Sequence, residues 1–261
     1  MSRFPLIFRH YFKRNALNPI NLAVYLALPV ALVVLNVLGN IGVVEMNVGD
    51  IDLLPETVVT QFTTMLAAAF MVSFQFFSGE LLLESIYSDF REGPQRWRLL
   101  ATPVPQRTFL AGLSASSWAL NLVQGILIFG IIALAFGVYW GNLLVFIAVL
   151  LLISIMSQLL AALFSLLIPK QKLASIVWNL FCFAQMLLAG FFFVPLGDSA
   201  FATFMATHGT PLSLGWRAIA YAGPVLYDMS SALFNIGILA AITAVIALAV
   251  IILSIGRRKK A

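Results

Sequence analysis

The side chains that could do chemistry are few in this 261-residue sequence. There are two histidines, His10 and His208, one cysteine, Cys182, and ten acids. No H-E-x-x-H, G-x-S-x-G or G-x-x-x-x-G-K-[ST] occurs, so zinc hydrolysis, a serine nucleophile elbow and a phosphate-binding loop have no residues to carry them. Glu45, Asp50, Asp52 and Glu56 lie close together but lack calcium-loop spacing and read as a solvated acidic loop over 41–57. A lone cysteine forms no internal disulfide and no metal cluster, and Cys182 reads as a small packing residue. The sequence presents no catalytic residue, no metal site and no resident cofactor, and the chain is not expected to be an enzyme.

Two other groupings carry information. The first is a charged island, residues 84–112, lying between long apolar runs. It holds Arg91, Arg96, Arg98 and Arg107 beside Glu84, Asp89 and Glu92, with Ile86, Phe90 and Trp97 among them. Such a segment suits contact with something soluble, and it is expected to stay in water while its flanks enter lipid. The second grouping is polar and aromatic: Gln75, Asn121, Gln124, Gln158, Asn179 and Gln185 sit within apolar runs. They read either as interhelical hydrogen-bonding groups or as the lining of a path. Phe70, Phe74, Gln75, Phe181 and Gln185 are the candidate pathway residues, because aromatics crowd the second and fifth runs. No charged relay lies at mid-run, which gives proton- or sodium-coupled transport little support.

The elements that must position these residues follow from composition. The chain is 62% hydrophobic and only 10% charged, with a mean hydropathy of +1.02, against about 25% charged in soluble domains. A bilayer span needs about 20 apolar residues, and six candidates occur at about 20–40, 58–81, 109–136, 143–168, 173–194 and 233–255. Runs of this length argue for helices; alternating barrel strands would be about 10 residues each. The expected fold is therefore an all-α, six-span membrane protein forming a single transmembrane domain over 1–261. With the N-terminus inside, every Lys and Arg of the 15 except Arg217 falls on the cytoplasmic side, as the positive-inside rule requires. Both termini and the island are thus expected in the cytoplasm, and the net charge of +5 reflects topology, not a nucleic-acid partner. Residues 3–18 read as an interfacial amphipathic helix, joined at Asn18-Pro19 to a first span that Pro29 should kink. Tight turns are expected near 137–142 and at Pro169–Lys172, and short re-entrant helices over the broken apolar segment 195–232.

With that topology in place, the chain resembles the permease subunits of type-2 ABC exporters, of the drug- and antimicrobial-export kind. The resemblance rests on Arg91-Glu92-Gly93, then Arg98-Leu99-Leu100-Ala101-Thr102-Pro103-Val104, then a span opening at Phe109–Gly112. Asn18-Pro19 and Gly223-Pro224-Val225-Leu226-Tyr227 extend it. Pro94 stands where the family commonly has Thr, and Gly112-Leu113 where it has Gly-Lys. The resemblance implies a pathway made with a second permease subunit, identical or paralogous, and two separate ATPase subunits holding ATP and magnesium. It makes 84–108 a coupling segment, with Glu84, Asp89, Arg91, Glu92, Trp97 and Arg98 as the ATPase-coupling residues and the N-terminal helix beside it. The substrate would be amphipathic or hydrophobic: a drug, antibiotic or antimicrobial peptide, exported across a bacterial cell membrane. Export of lipid-linked polysaccharide or lipid is the alternative within the class. A channel, secondary transporter or scaffold is the alternative outside it.

Overall fold

The computed structural model describes residues 3–31, 56–93, 101, 104–136, 140–190, 199–223 and 227–258. Among them every regular element is helical. In chain order these are α1 (Phe4–Ala16), α2 (Pro19–Leu22) running into a π-helical turn (Ala23–Ala27), α3 (Glu56–Phe77), and α4 (Gly79–Ile86) running into a second π-helical turn (Tyr87–Arg91). Then come α5 (Gln106–Phe136), α6 (Leu143–Leu167), α7 (Gln171–Leu188), α8 (Ala200–Phe204) with a third π-helical turn (Met205–Gly209), α9 (Pro211–Ala222) and α10 (Met229–Arg258).

Four helical stretches among the described residues are long and apolar enough to cross a membrane: Thr64–Arg91, Thr108–Ala135, Leu143–Leu167 and Met229–Ser254. They match the second, third, fourth and sixth sequence-predicted spans. The first predicted span lies only partly within the described residues. The fifth is represented by α7, 18 residues long, which ends at Gly190 with φ +79°, a conformation that glycine adopts without strain. Of the expected acidic loop over 41–57, residues 41–55 lie outside the described residues, while Glu56 and Thr57 open α3 and so belong to helix. Pro29 does disturb its helix: one turn upstream the ladder loosens to i→i−5, with the Leu28 N–H donating to the Ala23 carbonyl.

The second span departs most from expectation. It runs on as helix to Arg91, well into the island that was expected to lie in water, because Leu81, Leu82, Leu83, Ile86 and Tyr87 continue the buried face. Its most apolar stretch is 83% buried within the bundle, against 11% for α10. It is the central element. α10 and the outer face of α5, with Leu134, Val245, Leu248 and Ile252 exposed, present the apolar surface that a bilayer would meet.

Midway along this central element the ladder breaks at Ser78, where the Leu81 N–H turns back to the Ser78 carbonyl at 3.1 Å. Two carbonyls beside the break find partners on other helices. Ser157 of α6 donates to Phe76 O at 2.7 Å, and Trp178 Nε1 of α7 donates to Phe77 O at 3.3 Å. Broken helices are tolerated in membrane proteins when neighbours satisfy the freed backbone in this way. Trp178 is fully buried, stacks on Phe76 and meets Phe164 edge-on.

Where described, the segment 195–232 forms α8 with its π-helical turn, α9 and the start of α10, which opens at Met229, ahead of the expected sixth span at 233. α9 opens with a reciprocal capping box between Thr210 and Ser213, which satisfies two of the orphan donors of its first turn. Small residues set α9 against its neighbours: a Cβ on Gly215 would lie 3.0 Å from Val72 Cγ1. The α5–α6 connection closes onto its end, with Gly141 at φ +69° and the Asn142 N–H bonded to Ala222 O at 3.2 Å. Asn142 then caps α6. Asp228 caps α10 through Ser230 and Ser231, and those hydrogen bonds pull its carboxyl down to about 2.

Candidate functional site

The charged residues nearest the island's start converge where three elements meet: α1, the end of α4, and the turn between α6 and α7. The π-helical turn Tyr87–Arg91 closes with the Glu92 N–H donating to Tyr87 O at 2.8 Å. Gly93 follows because nothing larger fits: a Cβ there would lie 1.5 Å from the Ser88 carbonyl oxygen. That gives the glycine of Arg91-Glu92-Gly93 a steric reason.

Toward α1, the Asp89 carboxylate accepts from Arg14 Nη1 at 2.8 and 3.1 Å. The Asp89 side chain is 3% exposed and that of Arg14 32%. The expectation that Asp89 stays in water as a docking charge is thus corrected: it lies inside the protein, neutralised by α1. The Arg14 guanidinium also covers the Tyr11 ring at 4.8 Å. Ile7, Tyr11 and Asn15, spaced four apart, bury one face of α1, and Gly112 of α5 admits it closely, since a Cβ there would lie 2.6 Å from Ile7 Cγ2.

Toward the α6–α7 turn, Ile168 O, an orphan carbonyl at the end of α6, accepts from Tyr87 Oη at 2.5 Å and Arg91 Nη1 at 2.8 Å. Arg91 also lies over the Tyr87 ring at 5.1 Å. The Glu92 Oε1 accepts from the Gln171 N–H at 2.8 Å. A carboxylate on the first N–H groups of a helix is favoured by the orphan donors and the helix dipole together. Arg91 and Glu92 therefore hold the turn from both sides, one at the C-terminus of α6 and one at the N-terminus of α7.

Burial, then the Asp89 carboxylate, push the Tyr11 phenol above its ordinary value. A group whose proton is held more tightly when folded stabilises fully below its unfolded pKa, about 10 for tyrosine, and that contribution fades as pH rises past it. Thermal melts between pH 9 and 11 should show alkaline destabilisation that is shallower in Tyr11→Phe; parallel curves for the two proteins would refute it.

The other expected site residues fall as follows. Glu84 is exposed on α4. Trp97 and Arg98 lie outside the described residues. Phe70 stacks on Phe74 with centroids 6.4 Å apart. Gln75 is buried and bridges α3 to α5, its Nε2 donating to Asn121 O at 3.0 Å while Asn121 Nδ2 returns to Gln75 O at 3.3 Å. Phe181 packs among Phe76, Phe164 and Trp178. Gln185, on α7, is half-buried. Gln75 thus acts as interhelical glue here.

Sequence reasoning missed the Arg14–Asp89 pair and the grip of Tyr87 and Arg91 on Ile168, because partners more than 70 positions apart leave no local spacing signal. The i, i+4, i+8 burial of Ile7, Tyr11 and Asn15 was the available clue that α1 has a protein-facing side.

Comparison with known proteins places the junction within a named domain. A family model described as ABC-2 type transporter matches residues 7–198, a stretch that contains Arg14, Asp89, Glu92 and the α6–α7 turn. No curated protein matches the chain.

Proposed function

The chain belongs to the ABC-2 type transporter family, and from that premise we propose that it is the permease subunit of an ATP-driven exporter whose ATPases are separate chains. Nucleotide and magnesium would sit on those partners, since this sequence has no phosphate-binding loop of its own. A second permease subunit, identical or paralogous, would complete the pathway. The observation that carries this reading is the junction at Tyr87–Glu92. Within the proposed coupling segment, 84–108, it ties the chain to α1 through Asp89 and to the α6–α7 turn through Arg91 and Glu92. Force applied to that segment would therefore reach α1, α6 and α7 at once, through charge-assisted hydrogen bonds, which are shorter and stronger than neutral ones. It would also act on the central helix, whose break at Ser78 offers a place to flex. The apolar, aromatic-rich helices support an amphipathic or hydrophobic substrate: a drug, antibiotic or antimicrobial peptide.

In this reading Asp89, Arg91 and Glu92 are positioning residues, while Trp97 and Arg98 touch the ATPase. Co-purification with a partner ABC ATPase, identified by pull-down of the tagged chain from its host, tests it. Trp97→Ala with Arg98→Glu should reduce recovery of the ATPase at least tenfold without changing the permease's melting temperature. Undiminished recovery would remove the coupling role from this segment.

A further inference from the structure

One strip of α1 turns away from the bundle. It carries Leu6, His10, Lys13 and Leu17, all exposed, at the i, i+4, i+7, i+11 spacing of one helical face. Where α1 gives way to α2, a groove of about 460 Å³ opens, lined by His10, Lys13, Arg14, Leu17 and Asn18. No acid occurs among residues 3–31. Arg14 is partly engaged by Asp89, whereas Lys13 makes no ion pair among the described residues. Asn18 uses its side-chain oxygen to cap α2, which leaves its amide N–H₂ as a further donor. Leu17 is the aliphatic side chain in the groove's lining and is 65% exposed; Ile20, three positions on, is 69% exposed.

Placing Lys13 and Arg14 at the end of α1 complements the helix dipole. That accounts for the cations but not for the groove or for the exposed Leu17 in its lining, with exposed Ile20 three positions on. A cationic cleft with an exposed aliphatic side chain in its lining matches a ligand that is anionic at one end and aliphatic at the other. We propose that this groove binds the phosphate headgroup of an anionic phospholipid in the cytoplasmic leaflet. Lys13 and Arg14 supply the charge, His10 and Asn18 supply hydrogen-bond donors, and the acyl chains run along Leu17 and Ile20. Basic interfacial helices gain binding from anionic lipid and buried apolar area together; here an open groove gathers the headgroup donors in one place. The site rests on the reading of the chain as a membrane permease and on no part of the ATPase coupling.

The test uses the full-length chain, purified and delipidated in a neutral detergent, with no ATPase or transport substrate present, so its failure is separate from failure of the coupling reading. Binding of dioctanoyl phosphatidylglycerol, dioctanoyl phosphatidylcholine and inorganic phosphate is followed by native mass spectrometry and thermal shift. Phosphatidylglycerol should bind at least tenfold more tightly than phosphatidylcholine. His10→Gln with Lys13→Gln should weaken it at least fivefold, while Lys13→Arg and the distant Lys172→Gln should not. Should the double variant misfold, Lys13→Glu alone is read the same way. Equal binding of the two lipids, or unchanged binding in the variants, overturns the proposal. Phosphate binding as tight as phosphatidylglycerol overturns the lipid as ligand.

Discussion

Replacing Gly79 by alanine is expected to cost about 3 kcal/mol, the upper end of what overpacking a tight core does. An added Cβ would lie 2.4 Å from Ser157 Oγ, 2.7 Å from Trp178 Cζ2 and 2.8 Å from the Ser157 carbonyl oxygen. The hydroxyl can rotate, but the indole ring is fully buried and the third atom is backbone, so relief requires moving α6 or α7. Both hydrogen bonds that satisfy the break, from Ser157 and Trp178, would be strained by that shift. Gly130→Ala is the matched control: nothing lies within 4 Å of its Cβ position, and alanine in a helix is favoured over glycine by about 0.5–1 kcal/mol. Melting in detergent, followed by tryptophan fluorescence, should separate the two variants clearly. A Gly79→Ala protein that melts with the wild type would show that the helices at the break are loosely packed.

Legibility in the sequence followed the range of the interaction. Hydropathy is local, so the third, fourth and sixth predicted spans reappear as α5, α6 and α10 within a few residues. Capping is local as well: Asn18-Pro19 opens α2 as the residue types suggest, and Asn142 opens α6. The charged island is not wholly in water, because charge alone does not decide burial. Asp89 is charged and buried at once, since a partner 75 positions earlier neutralises it. A composition count cannot see that partner. Burial of Leu81–Leu83, Ile86 and Tyr87 was readable, however. Their period carries the apolar face straight through Glu84 to Arg91, and it outweighs the intervening acid because Glu84 points outward.

The same distinction applies to the polar residues of the bundle. Gln75 and Asn121 could equally have lined a path or tied two helices, as far as residue type goes. Their reciprocal bonds to each other's backbone carbonyls depend on α3 and α5 crossing closely, and Gly125 permits it: a Cβ there would lie 2.5 Å from Gln75 Oε1. The glycine and the glutamine are 50 positions apart, so only the folded chain relates them.

Breaking the Arg14–Asp89 pair is expected to be asymmetric. Arg14→Ala strands a carboxylate that is 3% exposed, and leaving a buried charge unpaired costs about 3–5 kcal/mol when fully desolvated. Because Arg14 is itself 32% exposed, water can reach the vacated space, and about 2–3 kcal/mol is the expected loss. Asp89→Ala strands only an arginine that can turn to solvent and still cover Tyr11, so about 1–2 kcal/mol is expected. The double variant should be more stable than Arg14→Ala alone, because the stranded charge is then gone. That ordering is the discriminating result: strictly additive losses would mean the two side chains do not sense each other. Function adds a second readout. If α1 is tied to the proposed coupling segment through this pair, all three variants should retain basal ATP hydrolysis in the assembled transporter while losing most of its stimulation by substrate. Asp89→Glu, which keeps the charge, should recover part of it. Full stimulation in a stably folded Asp89→Ala protein would instead make the pair a structural tie alone, and would leave Glu92 on Gln171 and Arg91 on Ile168 as the routes by which the segment moves the helices.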